Sequence, residues 1–496
     1  IGVGGGRDIL SSLVFKDRSV VGVEVNPGML YLVQQKYADY TGHLDRYPSV
    51  RLVNDEARSY VTRSGAKFGI IQASLIDTFA ATAAGAFAQT ENALYTVDGW
   101  KIFMDHLTDN GLITFTRPYT PKSPNETYRL LSLAGETLRQ LKVSEPRAHI
   151  ILVGNHRSGY AQGPGCAATI LVAKSPFTDA DLDKADEVAA RLGYEVILSK
   201  RVSRDPVFTA LTAAQRPNEF FRTYNVNLAP PTDDCPFFFN FLGVRHLLAS
   251  QVWTNQGYSQ LTSQGLGALT VPLLVMFNLI VITTSLTLLC IVLPLWLKGR
   301  RTSLSAALPL ISYFSAIGLA FMFVEVSQMQ VLTVFLGNPT YGLTVVLFTL
   351  LLSGGIGSYA TNSIKPEQMR KQCAIRLGLL IVMLMLLGVG LHPITSYFVA
   401  STGPVRVLLC VALLSIPGFF MGMAFPMGMR LAQSRAPEST PWLWGINGST
   451  SVCASVFAAF LALNWGIHIS FWTGVACYLL ALVAFIVASK SAVQSE

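Results

Sequence analysis

The chain has 496 residues, 51% of them hydrophobic and only 13% charged, about half the charge usual in soluble domains. The charges are also unevenly spread: residues 267–496 hold 11 Lys/Arg and 4 Asp/Glu, against 26 and 25 in residues 1–266. That contrast excludes an all-soluble enzyme and an all-membrane protein alike, and it leaves most of the net +8 in membrane loops, so the basic balance does not argue for nucleic acid.

The polar half alternates strand and helix. Residues 1–3 read as the end of a strand already under way, with no initiator Met and no signal peptide's basic start, so an N-terminal portion is expected to precede them. After a glycine loop, the pattern predicts a helix over 8–15, a buried strand over 20–25, a helix over 27–37 and strands over 50–53 and 68–73. A helix over 97–107, a strand over 112–116, a helix over 126–141 and strands over 150–153 and 169–172 complete the series. This rhythm implies an α/β fold with a parallel, doubly wound sheet of about seven strands. The expected organisation is a nucleoside-binding domain over 1–205, an extension and linker over 206–266, and a transmembrane domain of about seven helices over 267–496.

In such sheets ligands occupy the crevice at the carboxyl ends of the strands. Gly2-Val3-Gly4-Gly5-Gly6 lets a backbone approach a ligand closely, and Glu24, at the end of the next strand, is placed to accept hydrogen bonds from ribose hydroxyls. Strand, loop, helix, strand and acid together imply a nucleoside cofactor held by Gly2, Gly4, Gly5, Gly6 and Glu24. Asp55, just past the third strand, is in place either to reach an adenine amino group or to cap the following helix. Asp77, at the carboxyl end of the strand over 68–73, is suited to orient a cationic amine or take its proton; as a loop residue it would cap its own turn. Tyr95 either covers the substrate or packs in the core. Thr232-Asp233-Asp234-Cys235-Pro236-Phe237-Phe238-Phe239 is an acidic turn running into aromatics, a lid or docking element that lacks the ligands for a metal. The seven cysteines lie far apart with no C-x-x-C, so neither a disulfide framework nor a zinc site is indicated.

In the apolar half, stretches at about 270–297, 305–335, 340–360, 374–391, 405–426, 446–465 and 469–488 each reach the roughly 20 apolar residues needed to cross a bilayer. With seven spans, Lys298, Arg300, Arg301, Lys365, Arg370, Lys371, Arg376, Arg430, Arg435 and Lys490 share one face, leaving Arg406 opposite. That face is expected to be cytoplasmic. The same count puts the polar half outside, whereas a nucleoside cofactor supplied in the cytoplasm favours a cytoplasmic domain on an inner-membrane, multi-pass protein; the two arguments oppose each other. Glu325, in the middle of a long apolar run, is a membrane functional candidate, its alternative being a structural acid that ties two helices together. Gly337-Asn338-Pro339, Phe425-Pro426 and Trp444-Gly445-Ile446-Asn447-Gly448 are expected to break or start spans, as in transporters with interrupted helices or in ordinary membrane turns.

Gly4-Gly5-Gly6, Val23-Glu24-Val25, Asn54-Asp55-Glu56-Ala57, the strand leading to Asp77 and Leu94-Tyr95-Thr96 resemble the successive motifs of spermidine synthases, which share the fold of S-adenosylmethionine-dependent methyltransferases. Phe323-Val324-Glu325, Leu336-Gly337-Asn338-Pro339, Gly354-Gly355-Ile356-Gly357-Ser358 and Phe425-Pro426-Met427-Gly428 resemble bacterial membrane proteins that carry a fused domain of that kind. The resemblance implies a transferase that uses S-adenosylmethionine or its decarboxylated form, without a metal, on an amine acceptor such as a polyamine. The family's D-x-x-D-P segment then falls on Ser74-Leu75-Ile76-Asp77-Thr78: Ser74 replaces the central Asp, and Asp77 is left as base or amine anchor, with Ser74 and Tyr95 on the substrate side. A hydroxyl is a poor base near neutral pH, so ordinary aminopropyl transfer to putrescine is expected to be weak. The rival readings are a methyltransferase using intact S-adenosylmethionine and a transporter whose soluble domain senses a nucleoside or polyamine; an NAD-binding domain would show a second dehydrogenase feature. The expected partners are the lipid bilayer and a small-molecule amine, and a homo-oligomer is left open.

Overall fold

The computed structural model describes residues 1–76, 91–121, 123–155, 167–224, 226–244, 267–299, 304–435 and 437–490. The chain divides into two compact units, Ile1–Pro272 and Leu273–Glu496.

In the first unit, valine-rich β1 (Val20–Glu24) and β2 (Val50–Asn54) pair in parallel with Glu24 opposite Asn54, as β-branched runs favour. A second sheet begins with β3 (Phe68–Ser74), parallel to β4 (Leu107–Pro118). Residues 1–3 join the two sheets: the Gly2 amide donates to the Val23 carbonyl at 2.9 Å, and the Ile1 amine donates to the Gln72 carbonyl at 2.7 Å. The result is an α/β arrangement with helices between the strands, built from a two-stranded sheet and a five-stranded one. β5 (Ile150–Gly154), β6 (Ala167–Ala173) and β7 (Glu195–Leu198) complete it in the order β3-β4-β6-β5-β7.

This last region corrects the expectation of an all-parallel sheet. β6 runs antiparallel to both β4 and β5, and β7 antiparallel to β5. A parallel neighbour needs a crossover of a dozen or more residues, usually helical. The helices Asn125–Gln140 and Asp179–Leu192 serve that purpose from β4 to β5 and from β6 to β7, whereas β5 and β6 pair with each other directly.

The core of this unit lies between the sheet and its helices. Trp100, Phe103, Phe115, Leu131 and Ile150 are fully enclosed. The helix Asn125–Gln140 is buried along nearly its whole length: it packs on β4, β6 and the helices Val97–Asp105 and Pro206–Leu211, and the chain after residue 226 returns to it. Phe237, Phe238, Phe239 and Phe241 of that returning segment are all buried, each burial worth about 1.5–3 kcal/mol. Arg129, itself 2% exposed, straps the segment down: its guanidinium donates to the carbonyls of Asn227 at 2.7 Å, Asn240 at 2.8 Å and Phe237 at 3.2 Å.

Among its described residues the second unit is helical and contains seven helices long and apolar enough to cross a membrane: Leu274–Leu295, Leu308–Leu336, Pro339–Ser363, Met369–Phe398, Gly403–Arg435, Pro437–Trp465 and Ile467–Ser489. Several extend past the expected ends. Met369–Phe398 carries Arg370, Lys371 and Arg376, and Gly403–Arg435 carries Arg430, since charged side chains end an apolar stretch without ending a helix and snorkel toward water.

Of the three expected breaks, one is present. Gly337 has φ 70°, and the Asn338 side chain accepts from the amides of Thr340 and Tyr341 with Pro339 at the first helical position, a stop followed by a start. Phe425-Pro426 and Trp444–Gly448 interrupt nothing, and that expectation is corrected: the helices Gly403–Arg435 and Thr440–Trp465 run through them. Neighbouring helices compensate a proline in a membrane helix, and small residues allow close packing; an added Cβ on Gly422 would lie 2.0 Å from the Gly354 carbonyl oxygen.

Candidate functional site

The carboxyl ends of β1, β2 and β3 and the glycine loop form one edge. Gly2 has φ 71° and Gly6, which starts the helix Arg7–Val14, has φ 85°. Both are also pinned by packing, since an added Cβ would lie 2.7 Å from Ile76 Cγ2 at Gly2 and 2.1 Å from Leu44 Cδ1 at Gly6. Gly4 and Gly5 differ. Among the described residues nothing lies within 4 Å of a Cβ built on either, so on that count this face of the loop is open to a ligand. Beside it is a cavity of about 400 Å³ lined by Gly4, Gly5, Leu32, Val33, Tyr37 and Tyr40 among others.

Glu24 ends β1 and is 8% exposed. Its carboxylate accepts from the Gly4 amide at 3.4 Å and the Asn26 amide at 3.0 Å, which ties the glycine loop to the strand end. A carboxylate offers about four lone-pair sites, so two remain for other donors. From β2, the Asn54 side chain donates to the Glu24 carbonyl at 2.8 Å and the Asp55 amide donates to it at 3.1 Å. Glu24 and Asp55 therefore sit on neighbouring strand ends.

Asp55 is already engaged, by an ion pair with Arg63 and by the Glu56 amide at 2.9 Å. It does not cap the next helix. Glu56 does, accepting from the amides of Arg58 and Ser59. Ser74 ends β3 and accepts from Gln72 Nε2 at 3.3 Å, while Leu75 beyond it has φ 51°, an uncommon conformation for a side chain of that size. Ile76 beyond it packs on Gly2, which brings the β3 end against the glycine loop. Asp77 lies outside the described residues.

Tyr95 is fully enclosed. Its ring stands 4.6 Å from that of Phe238 and 5.5 Å from that of Phe115, and its hydroxyl accepts from Arg117 at 3.2 Å. In this arrangement it packs in the interior and presents no surface to a substrate. The Arg117 guanidinium, equally enclosed, pairs with Glu126 at 2.6 and 2.8 Å and lies 4.8 Å from the Phe239 ring centre.

The acidic turn does dock. Arg58 donates two parallel bonds to Asp233, at 2.8 and 2.7 Å, and the Thr96 hydroxyl donates to Asp233 Oδ1 at 2.8 Å. The Asp233 amide donates to Asp98 at 3.0 Å. The Val97 amide donates to the Pro231 carbonyl and the Asn92 amide to the Pro236 carbonyl, each at 2.9 Å. Burial pulls the Arg58 guanidinium down, and the bonds and charge of Asp233, with Glu56 and Asp98 behind, more than offset it, leaving its pKa raised. Burial likewise pushes the Cys235 thiol up, opposed by nearby Arg129. This network was invisible in the sequence because Arg58 and Asp233 are 175 residues apart; an Asp-Asp pair leading into three phenylalanines was its one local signal. Among the described residues no cluster of three metal-ligating side chains occurs.

Glu325 is 7% exposed in the helix Leu304–Leu336, in the second unit.

No family model matches the chain, and no curated protein matches it. Among solved structures, it is similar to the crystal structure of spermidine synthase from Thermotoga maritima, at 17% identity and a TM-score of 0.25. That similarity covers 45% of this chain and 64% of the synthase, so the chain spans less than two thirds of its length.

Proposed function

We propose that the first unit is a spermidine-synthase-like transferase domain that binds an adenosyl-sulfur nucleoside, S-adenosylmethionine or its decarboxylated form, and serves an amine acceptor from a multi-pass membrane protein. The observation that carries the reading is the pairing of Glu24 with an open glycine loop: a buried carboxylate with lone pairs to spare at the end of β1, beside two glycines with empty space before them. In this reading Glu24 accepts from the ribose hydroxyls and Gly4 and Gly5 let the cofactor lie against the backbone, while Asp55, held by Arg63, borders the nucleoside.

The amine nitrogen attacks the carbon next to the sulfonium. A carbon–nitrogen bond forms as the carbon–sulfur bond breaks, the sulfur leaves as a neutral thioether, and the surplus proton of the amine passes to Asp77. Holding the partners in line supplies much of the rate, and the general base contributes about a hundred- to ten-thousandfold. Ser74, at the position of the family's central Asp, takes no proton at neutral pH, so putrescine turnover is slow.

The test is spermidine formation from decarboxylated S-adenosylmethionine and putrescine. Ser74→Asp should raise turnover, and Asp77→Asn should remove what activity exists. Robust wild-type turnover that survives Asp77→Asn would place the base elsewhere, with Asp98 and Glu91 the acids to examine.

A further inference from the structure

The cavity beside the glycine loop meets the proposed nucleoside site at Gly4. The Gly4 amide donates to the Glu24 carboxylate at 3.4 Å, and Gly4 and Gly5 both line the cavity. Its volume of about 400 Å³ is that of a small-molecule site. Beyond the two glycines it is lined by Met29, Leu32, Val33, Tyr37, Tyr40 and Thr41, so among the described residues no charged side chain borders it.

The lining offers little that is polar. The Thr41 hydroxyl is placed to donate to the carbonyls of Val33, Tyr37 and Ala38, at 3.0, 3.2 and 3.2 Å, which keeps its one proton within its own turn. Tyr37 and Tyr40 present rings instead. They are 52% and 92% exposed, and among the described residues neither ring packs on another aromatic side chain. Asp55, the acid in sequence best placed to read a base edge, is committed elsewhere: one carboxylate oxygen pairs with Arg63 and the other accepts from the Glu56 amide at 2.9 Å, and it does not line the cavity.

A base whose ribose rests on Glu24 therefore meets carbon and ring faces here rather than fixed donors and acceptors. Stacking on an aromatic ring is indifferent to the pattern along the base edge, because every base has a π-face. An apolar pocket likewise separates ligands of one shape poorly. We infer that the base of the nucleoside bound at Glu24 enters this cavity and is held by Tyr37, Tyr40 and apolar contact, so that the site accepts a 6-oxopurine nucleoside as well as a 6-aminopurine one. The inference rests on the nucleoside reading above and adds the base specificity of the same site.

The test is titration calorimetry of the full chain in detergent with methylthioadenosine and methylthioinosine, which differ in the group on C6 of the purine. The two should bind within about tenfold of each other, whereas a site that pairs with the amino group separates such ligands by about ten-thousandfold or more. Tyr37→Ala should weaken both by about tenfold and leave their ratio unchanged; Tyr40→Ala, at a nearly bare position, serves if Tyr37→Ala does not fold. Asp55→Asn should leave the ratio unchanged as well. Methylthioadenosine bound more than about tenfold tighter than methylthioinosine overturns the inference alone, as does wild-type affinity in the tyrosine variant or a ratio that shifts in Asp55→Asn. No heat with either nucleoside overturns the nucleoside reading itself, and the inference with it.

Discussion

The two units differ in how their buried acids are met. In the first, buried charge is matched: Arg58 with Asp233, Arg117 with Glu126, and Arg129 with three carbonyls. In the second, buried Arg406 donates to the Phe335 carbonyl at 2.8 Å, but among the described residues Glu325, the Gln328 Oε1 and the Ser470 Oγ have no such partner. Matched groups hold a structure together and lose much when one member goes, because the other is left charged and dry. Unmatched groups cost free energy in the resting fold. The contrast assigns cohesion to the matched set.

The largest effect that would break this comparison is at Arg58. Arg58→Ala strands Asp233 and releases the turn from Thr96, so unfolding of the first unit should lose about 3–5 kcal/mol, read from denaturant midpoints. Peptide-resolved mass spectrometry should also show faster alkylation of Cys235, whose thiol is held up by burial in the native state. A loss under 1 kcal/mol with unchanged alkylation would mean that the turn is held by its phenylalanines alone.

The glycine loop offers a smaller effect with an internal control. Gly6→Ala drives a Cβ into enclosed Leu44 at a left-handed φ and should cost about 1–3 kcal/mol. Gly5→Ala meets nothing and should leave thermal stability unchanged while weakening nucleoside binding. Equal stability losses at both would remove the distinction between the packed and open ends of the loop.

The smallest effect is expected at Glu325. Glu325→Gln should change the unfolding stability by less than about 1 kcal/mol, since no partner is stranded and an exchange without a broken network is mild. A loss as large as that at Arg58 would show that Glu325 is matched after all.

Much of this was legible from the sequence. The strands ending at Glu24, Asn54 and Ser74 follow from short β-branched runs between turns, and the seven spans follow from length and apolarity. The illegible parts depend on distant partners. β6 entered between β4 and β5, Pro417 and Pro426 stayed inside a helix, and β7 went unnoticed because four residues give too short a pattern. Tyr95 could be read as a ligand contact or as core, and only the return of Phe238 and Phe239 made it core. The contact of Glu24 with the glycine loop was readable because strand and loop are neighbours in sequence.

The central claim, nucleoside binding through Glu24, is tested most directly by titration calorimetry of the full chain with S-adenosylmethionine, its decarboxylated form, methylthioadenosine and NAD. An adenosyl-sulfur ligand should bind, NAD should not, and Glu24→Ala should weaken binding at least about tenfold, since each hydrogen bond to a charged group is worth about 1.5–3 kcal/mol. Thermal melts of the variant show whether its loop remains ordered. No heat with any adenosyl-sulfur ligand, or an affinity unchanged in Glu24→Ala, would contradict the account.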